Sequence, residues 1–156
     1  MAQEIERKFL VVDDSWRKGA RGTRFRQGFL STVAERTVRV RAAGDKGTLT
    51  IKSKNVGARR SEYEYEIPLA DAEELLDTLC ERPIIEKVRY EVEHGPHTWE
   101  VDVFEGDNVG LVVAELELES EDEAFSRPGW LGAEVTDDPR YFNSNLVNHP
   151  FKNWSR

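Results

Sequence analysis

Charged residues recur at every second position along one stretch of this chain after another, and a period of two is what a β-strand imposes on its two faces. In Gln3–Val11 the row Glu4, Glu6, Lys8 alternates with Ile5, Arg7, Phe9 and Val11. Thr37, Arg39 and Arg41 alternate with Val38 and Val40, while Thr48, Thr50 and Lys52 alternate with Leu49 and Ile51. Arg60, Glu62 and Glu64 alternate with Ser61, Tyr63 and Tyr65. Later, Lys87 and Arg89 oppose Val88 and Tyr90, Glu100 and Asp102 oppose Trp99 and Val101, and Glu115 and Glu117 oppose Ala114 and Leu116. One such row is the wet face of an open, half-exposed sheet. The whole set, backed by faces this apolar, asks for a covered outside and a polar inside. The expected fold is α+β: an antiparallel eight-stranded β-barrel, or tunnel, with short helices packed outside.

The eight expected strands span residues 3–11, 23–30, 35–42, 48–53, 60–67, 84–93, 98–104 and 111–119, and turns rich in glycine or proline separate most of them. On the fifth, the Tyr63 and Tyr65 face is expected to be buried. Beyond Pro68, Asp71-Ala72-Glu73-Glu74 matches a capping box ahead of Leu75, Leu76 and Leu79, which predicts a short amphipathic helix against the sheet. Ser120-Glu121-Asp122-Glu123 is a second such match, and Asp138-Pro139 pairs an N-cap with a proline at the first helical position. The C-terminal third is accordingly expected to be mostly short helices. Residues 1–156 are read as one domain.

A formal charge of -8 excludes general affinity for nucleic acid or anionic membranes, so an anionic ligand must be met by a local cluster. The lone Cys80 can form no internal disulfide and ends an apolar helical pattern, where a buried core thiol is expected. With no signal peptide and no apolar run long enough to span a bilayer, the expected location is cytoplasmic. His94, His97 and His149 lack metal-ligand spacing and are assigned no chemistry.

The inward rows bring together Lys8, Arg39, Arg41, Lys52, Arg60, Lys87 and Arg89 with Glu4, Glu6, Glu62, Glu64, Asp102, Glu115 and Glu117. Buried without partners, such groups would cost several kcal/mol each, so the set makes sense around water, ions and a ligand. Arg39 and Arg41, ~6.7 Å apart along a strand, can grip neighbouring phosphoryl groups, which favours a chain of phosphates. The carboxylates would repel that chain unless divalent cations intervene, and Mg²⁺ or Mn²⁺ suits carboxylate, water and phosphate oxygens. Glu4 with Glu6 and Glu115 with Glu117 are the preferred metal ligands, ahead of Glu62, Glu64 and Asp102.

Glu4-Ile5-Glu6-Arg7-Lys8 resembles the ExExK signature of the CYTH superfamily, the triphosphate tunnel metalloenzymes. The likeness continues in family order through Arg39-Val40-Arg41, Ile51-Lys52, Glu62-Tyr63-Glu64, Glu86-Lys87-Val88-Arg89-Tyr90, Trp99-Glu100-Val101-Asp102 and Glu115-Leu116-Glu117. The tail, Pro128 to Gly132 and Asp138 to Asn145, is similar to that of short bacterial members. The resemblance implies a metal-dependent inorganic triphosphatase that cleaves tripolyphosphate to pyrophosphate and phosphate, with nucleoside or thiamine triphosphates as alternative substrates. It implies phosphate binding by Lys8, Arg39, Arg41, Lys52, Lys87 and Arg89, metal binding by Glu4, Glu6, Glu115 and Glu117, a catalytic role for Lys8, and a possible homodimer. The alternatives are a class IV-type adenylyl cyclase making cyclic AMP and pyrophosphate, and a non-catalytic polyphosphate or nucleotide sensor. Gln27-Gly28-Phe29 departs from the pattern, because the family's triphosphatases carry a tyrosine that assists the lysine where Phe29 stands. Phe29 is read either as altering the catalytic site or as an outward or core aromatic with no role.

Overall fold

The computed structural model describes residues 3–155. Its strands are β1 (Gln3–Val11), β2 (Arg21–Ser31), β3 (Arg36–Ala43), β4 (Lys46–Ser53), β5 (Arg59–Ile67), β6 (Ile85–His94), β7 (His97–Phe104), β8 (Val112–Glu117) and β9 (Leu131–Glu134). Two α-helices, α1 (Leu69–Thr78) and α2 (Asn143–Asn148), accompany them. The strands pair in the order β5-β4-β3-β2-β6-β7-β8-β1, and β1 pairs back onto β5. The sheet therefore closes into an eight-stranded antiparallel barrel, as the alternation predicts. β1 makes the closure by dividing its length. Gln3 to Ile5 pair with β5, Glu6 to Leu10 with β8, and Phe9 and Val11 with β9, which lies beside β1.

Two apolar layers cover the outside. On one, Phe9, Trp99, Val101, Ala114 and Leu116 are sealed by Trp16, Leu131 and Trp130, with Phe125 packed against the cluster. Trp99 meets Phe9, Phe125 and Trp130 edge to face, with ring centroids 5.6–5.7 Å apart. On the other, α1 lays Ala72 and Leu76, followed by buried Cys80, across Val40 and Ala42. The expected core thiol is thus borne out.

Three expectations need correction. Tyr63 and Tyr65 are 49% and 57% exposed, because α1 doubles back over β3 and β4 and its cluster reaches the outer face of β5 at Ile67 and not at the two tyrosines. The helix itself starts earlier than the capping-box match, at Leu69. The Pro68 carbonyl accepts from the Ala72 N–H, and Asp71 lies within the first turn without capping it. Ser120-Glu121-Asp122-Glu123 begins no helix: the Glu123 carboxylate accepts from the Glu119 N–H, forming a tight turn. This segment must instead cross the barrel to carry Phe125 and Trp130 onto Trp99, and the chain then adds strand β9. The Asp138 cap does form, its carboxylate accepting from the Arg140 N–H ahead of a single 3₁₀ turn.

At one end of the barrel the inward rows turn apolar. Phe29, Ile85, Phe104 and Val113 pack there against Tyr141, Leu146 and Val147 of the C-terminal segment. The tail thereby gives the interior a floor.

Close packing of α1 explains one glycine. A Cβ on Gly28 would lie 2.8 Å from Cys80 Cβ and 3.1 Å from Leu76 Cδ2. Gly28→Ala is expected to lower unfolding stability by about 1–3 kcal/mol through overpacking, read from urea denaturation. An unchanged midpoint would show that the helix can shift without cost.

Candidate functional site

The interior above this floor is a cavity of ≈ 220 Å³. All seven predicted cations line it, as do Glu4, Glu6, Glu62, Glu64, Glu115 and Glu117. Of the predicted site residues, only Asp102 stays out of the lining. It lies 1% exposed behind Lys87 and Arg89 and takes three hydrogen bonds: Lys87 Nζ at 2.7 Å, Arg89 Nε at 2.7 Å and Arg89 Nη2 at 2.9 Å. Both of its oxygens are committed, which corrects its reading as a metal ligand. Burial opposes its charge, yet Arg89 and Lys87 hold its carboxyl far below the ordinary range. Burial likewise pushes the Lys87 ammonium down, with Asp102 opposing that shift. In Arg89 burial is outweighed by Asp102 and Glu115, which raise it.

The lining is divided by sign. Arg39, Arg41 and Arg89 crowd one another closely enough that burial and then mutual repulsion lower Arg39 and Arg41 below the usual guanidinium range. The carboxylates crowd in turn. Burial first, then Glu4, Glu6, Glu62 and Glu100, raises Glu117, while burial and Glu6 raise Glu115. Cross-strand register shows why, for Glu6 stands opposite Glu117 and Glu100 opposite Glu115. Like charges so placed, ~4.5–5.5 Å apart at Cβ, destabilise a sheet. The Glu6 and Glu117 carboxylates form no ion pair or hydrogen bond among the described residues, whereas Glu62 is paired with Lys52 and Glu64 with Arg39. Glu4 lies 2.8 Å from Lys52 Nζ, off the direction a hydrogen bond needs, so its Oε2 remains a buried acceptor without a donor. On the basic side, Arg39 Nε is a buried donor without an acceptor.

These carboxylates fit a hard divalent cation in charge and donor type. Among the described residues, however, no three metal-ligating side chains form a ready-made cage. A cation here would be held by carboxylates drawn together from facing strands, with ligand oxygens completing its shell.

Several residues in or beside the cavity lie outside the predicted site set. Glu100 faces inward two residues before Asp102 and pairs with Arg89 at 3.3 Å, so its place in the same row was the available signal. Phe25 lies under the cations, its ring centroid 4.5 Å from Arg41 Cζ and 5.0 Å from Arg89 Cζ. Phe29 is buried in the floor cluster and lines the cavity, which settles its side of the strand. Lys8 Nζ donates to the Tyr141 carbonyl at 3.1 Å, so a backbone oxygen of the tail stands beside it. Phe142, Asn143 and Ser144 complete the lining from the same segment.

A closed antiparallel barrel whose interior sets a basic wall against an acidic one defines a tunnel protein built to hold a polyanion together with cations. The chain belongs to the CYTH domain family, whose model matches residues 2–146. It is 51% identical over 154 residues to the inorganic triphosphatase of Acetivibrio thermocellus, covering 99% of both chains. It is 39% identical over 150 residues to the inorganic triphosphatase of Nitrosomonas europaea, covering 92% of this chain and 96% of the relative. A crystal structure of an inorganic triphosphatase matches with a TM-score of 0.63 at 35% identity, over 92% of this chain and 96% of that one. A Hippeastrum protein described both as an adenylyl cyclase and as having a dominant triphosphatase activity shares the fold alone. Its identity is 16% and its TM-score 0.59, over 75% of this chain and 80% of that one. No helix of the described residues is long and apolar enough to cross a membrane.

The raised carboxylates carry a stability signature. Between the ordinary carboxylate range and their raised values the folded chain binds more protons than the unfolded one, so stability falls as pH rises through that window. Metal-free protein is expected to lose melting temperature as pH rises just above the ordinary carboxylate range, below the region near pH 7 where the depressed Lys87 contributes with the opposite sign, and a divalent cation is expected to recover most of the loss. Scanning calorimetry checks this; a metal-free melting temperature that climbs over that interval would contradict the placement of the acidic wall.

Proposed function

We propose that the protein hydrolyses inorganic tripolyphosphate to pyrophosphate and phosphate with the help of Mg²⁺ or Mn²⁺. The observation that carries the reading is the division of one cavity into a wall of crowded cations and a wall of crowded carboxylates. Ion pairs tie parts of the two walls together, through Lys52 with Glu4 and Glu62, Arg39 with Glu64, and Arg89 with Glu100 and Glu115. Lys8 and Arg41 on one side and Glu6 and Glu117 on the other, however, have no ion pair among the described residues, and a polyphosphate bound with divalent cations supplies both partners. The names of the two bacterial relatives support the same reaction.

Arg39, Arg41, Lys87 and Arg89 bind the phosphoryl oxygens in this reading, with Lys52 and Arg60 beside them. Arg89 is presented rigidly because Asp102 fixes its guanidinium from behind, and Arg41 because its Nε donates to Gln27 at 2.9 Å. Glu6 and Glu117, which have no cation of their own, are the principal metal ligands, joined by Glu4 and Glu115. Glu4 and Glu115 already meet Lys52 and Arg89, as Glu62 and Glu64 meet Lys52 and Arg39, but the first two share the strand rows of Glu6 and Glu117, which ranks them ahead. The metal, when bound, supplies charge neutralisation and a more acidic water. Lys8 is the catalytic residue in this reading: the Tyr141 carbonyl takes one of its N–H groups, which leaves two donors on an ammonium that lines the cavity for the phosphate chain. Such a site accelerates phosphoryl transfer by positioning and by stabilising charge on the transferring group and its leaving oxygen.

Purified protein given tripolyphosphate is expected to release phosphate and pyrophosphate in equal amounts, with metal and not with chelator, and to make no cyclic AMP from ATP. Glu117→Gln should lower turnover at least about 100-fold, given that even groups behind a metal ligand carry 10–100-fold, while tripolyphosphate binding persists. Unchanged hydrolysis in that variant would remove Glu117 from the metal site, and tight binding without any product would establish the sensor reading instead. For Phe29→Tyr the expected result is turnover that rises or stays within about threefold, since the added hydroxyl joins a wall that already works without one. A large loss in steady-state kinetics would show that the bare ring is itself required.

A further inference from the structure

The C-terminal segment brings one neutral side chain into the basic wall. Asn143 Oδ1 accepts from Gln27 Nε2 at 2.6 Å and from Lys87 Nζ at 3.0 Å. An ammonium can only donate, so the amide oxygen must face Lys87, and its two lone pairs are then filled. Gln27 cannot turn to relax this arrangement, because its own oxygen already accepts from Arg41 Nε at 2.9 Å. Rotating the Asn143 amide would set its NH₂ against two other donors. The remaining hydrogen-bonding capacity of Asn143 is therefore Nδ2, which has no protein acceptor among the described residues, in a side chain that lines the cavity.

We propose that Asn143 is a substrate contact whose Nδ2 donates to a phosphoryl oxygen of the bound polyphosphate at the floor of the cavity. This rests on the tripolyphosphate reading of the site and deepens it. The chain Arg41 to Gln27 to Asn143, closed by Lys87, fixes the polarity of the amide so that a donor always faces the anion. It adds directionality where the cations supply charge, and it makes the tail a part of the binding site.

Two substitutions separate this role from simple bracing. Asn143→Asp keeps an acceptor for both Gln27 and Lys87 and replaces the cavity-facing donor with a carboxylate oxygen; Asn143→Ala removes both functions. If Asn143 only braces its neighbours, the Asp variant loses no more than the repulsion of one added carboxylate costs, and the Ala variant is the more damaged of the two, in melting temperature as well as in turnover. As a substrate contact, Asn143→Asp is the worse of the two, losing on the order of 100-fold in kcat/KM, mainly through KM, with Ala intermediate. Steady-state kinetics on tripolyphosphate with Mg²⁺, alongside thermal melts, reads the order directly. An active wild type with Ala the more impaired of the two variants overturns the contact while leaving the triphosphatase reading intact. A wild type that neither binds nor cleaves tripolyphosphate overturns the reading of the site and this contact with it.

Discussion

Closure of the sheet through β1 is the constraint on which the rest depends. A strand has two edges, and β1 spends one on β8 while sharing the other between β5 and β9. With that seam made, the inward rows lose much of their access to bulk water, although Glu64 and Glu117 stay exposed, and the buried charges, which would be ordinary on an open sheet, must find partners or a ligand. The same strand carries Glu4, Glu6 and Lys8, so the residue row that closes the barrel also supplies both walls of the cavity. Glu6 is brought opposite Glu117, and Lys8 opposite Glu115, by the pairing that makes the seam. Fold and site are therefore one hydrogen-bond register: a slip of one residue in β1 would turn Ile5 and Phe9 inward and the charges outward.

Burial then sorts the charges into two kinds. Some are satisfied inside the protein, as Asp102 is by Lys87 and Arg89, and these form a rigid foundation in which neither partner can move independently. Others are placed against their own sign. The interior is poor at tolerating the second kind, and that arrangement persists only where the favourable partner is meant to come from outside. The distinction explains why residues of the same type on the same face do different work: Asp102 orients cations, while Glu100, two positions earlier, reaches the cavity.

The sidedness of every charged row was legible in the sequence, because alternation is a local property that strand geometry reads without help from the rest of the fold. What covers each outer face was not. Tyr63 and Tyr65 look like core residues on their own strand, and only the path of α1 leaves them in solvent. The same limit hid the loop that carries Phe125, since a capping-box pattern is local and the demand to cover Trp99 is not. Depth along the barrel was equally out of reach. It depends on the cross-strand register, which decides that Asp102 stands beside Arg89 and Val113, whereas Glu100 stands beside Glu115.

The tail shows a further reason why a site can exceed its motifs. Charged rows on strands can surround a ligand but cannot end a tunnel, because every inward position is used in making the wall. An end must come from a segment that crosses the opening, and such a segment carries no period-two signature. Here Tyr141 to Ser144 cross it, lending Lys8 a carbonyl and Lys87 an amide oxygen while Leu146 and Val147 anchor the crossing in the floor. The two lysines nearest the floor are thus positioned by residues more than fifty positions away in sequence. In a cavity so arranged, phosphate chemistry is set jointly by the barrel, which provides charge, and by the tail, which decides where along the barrel that charge can be used.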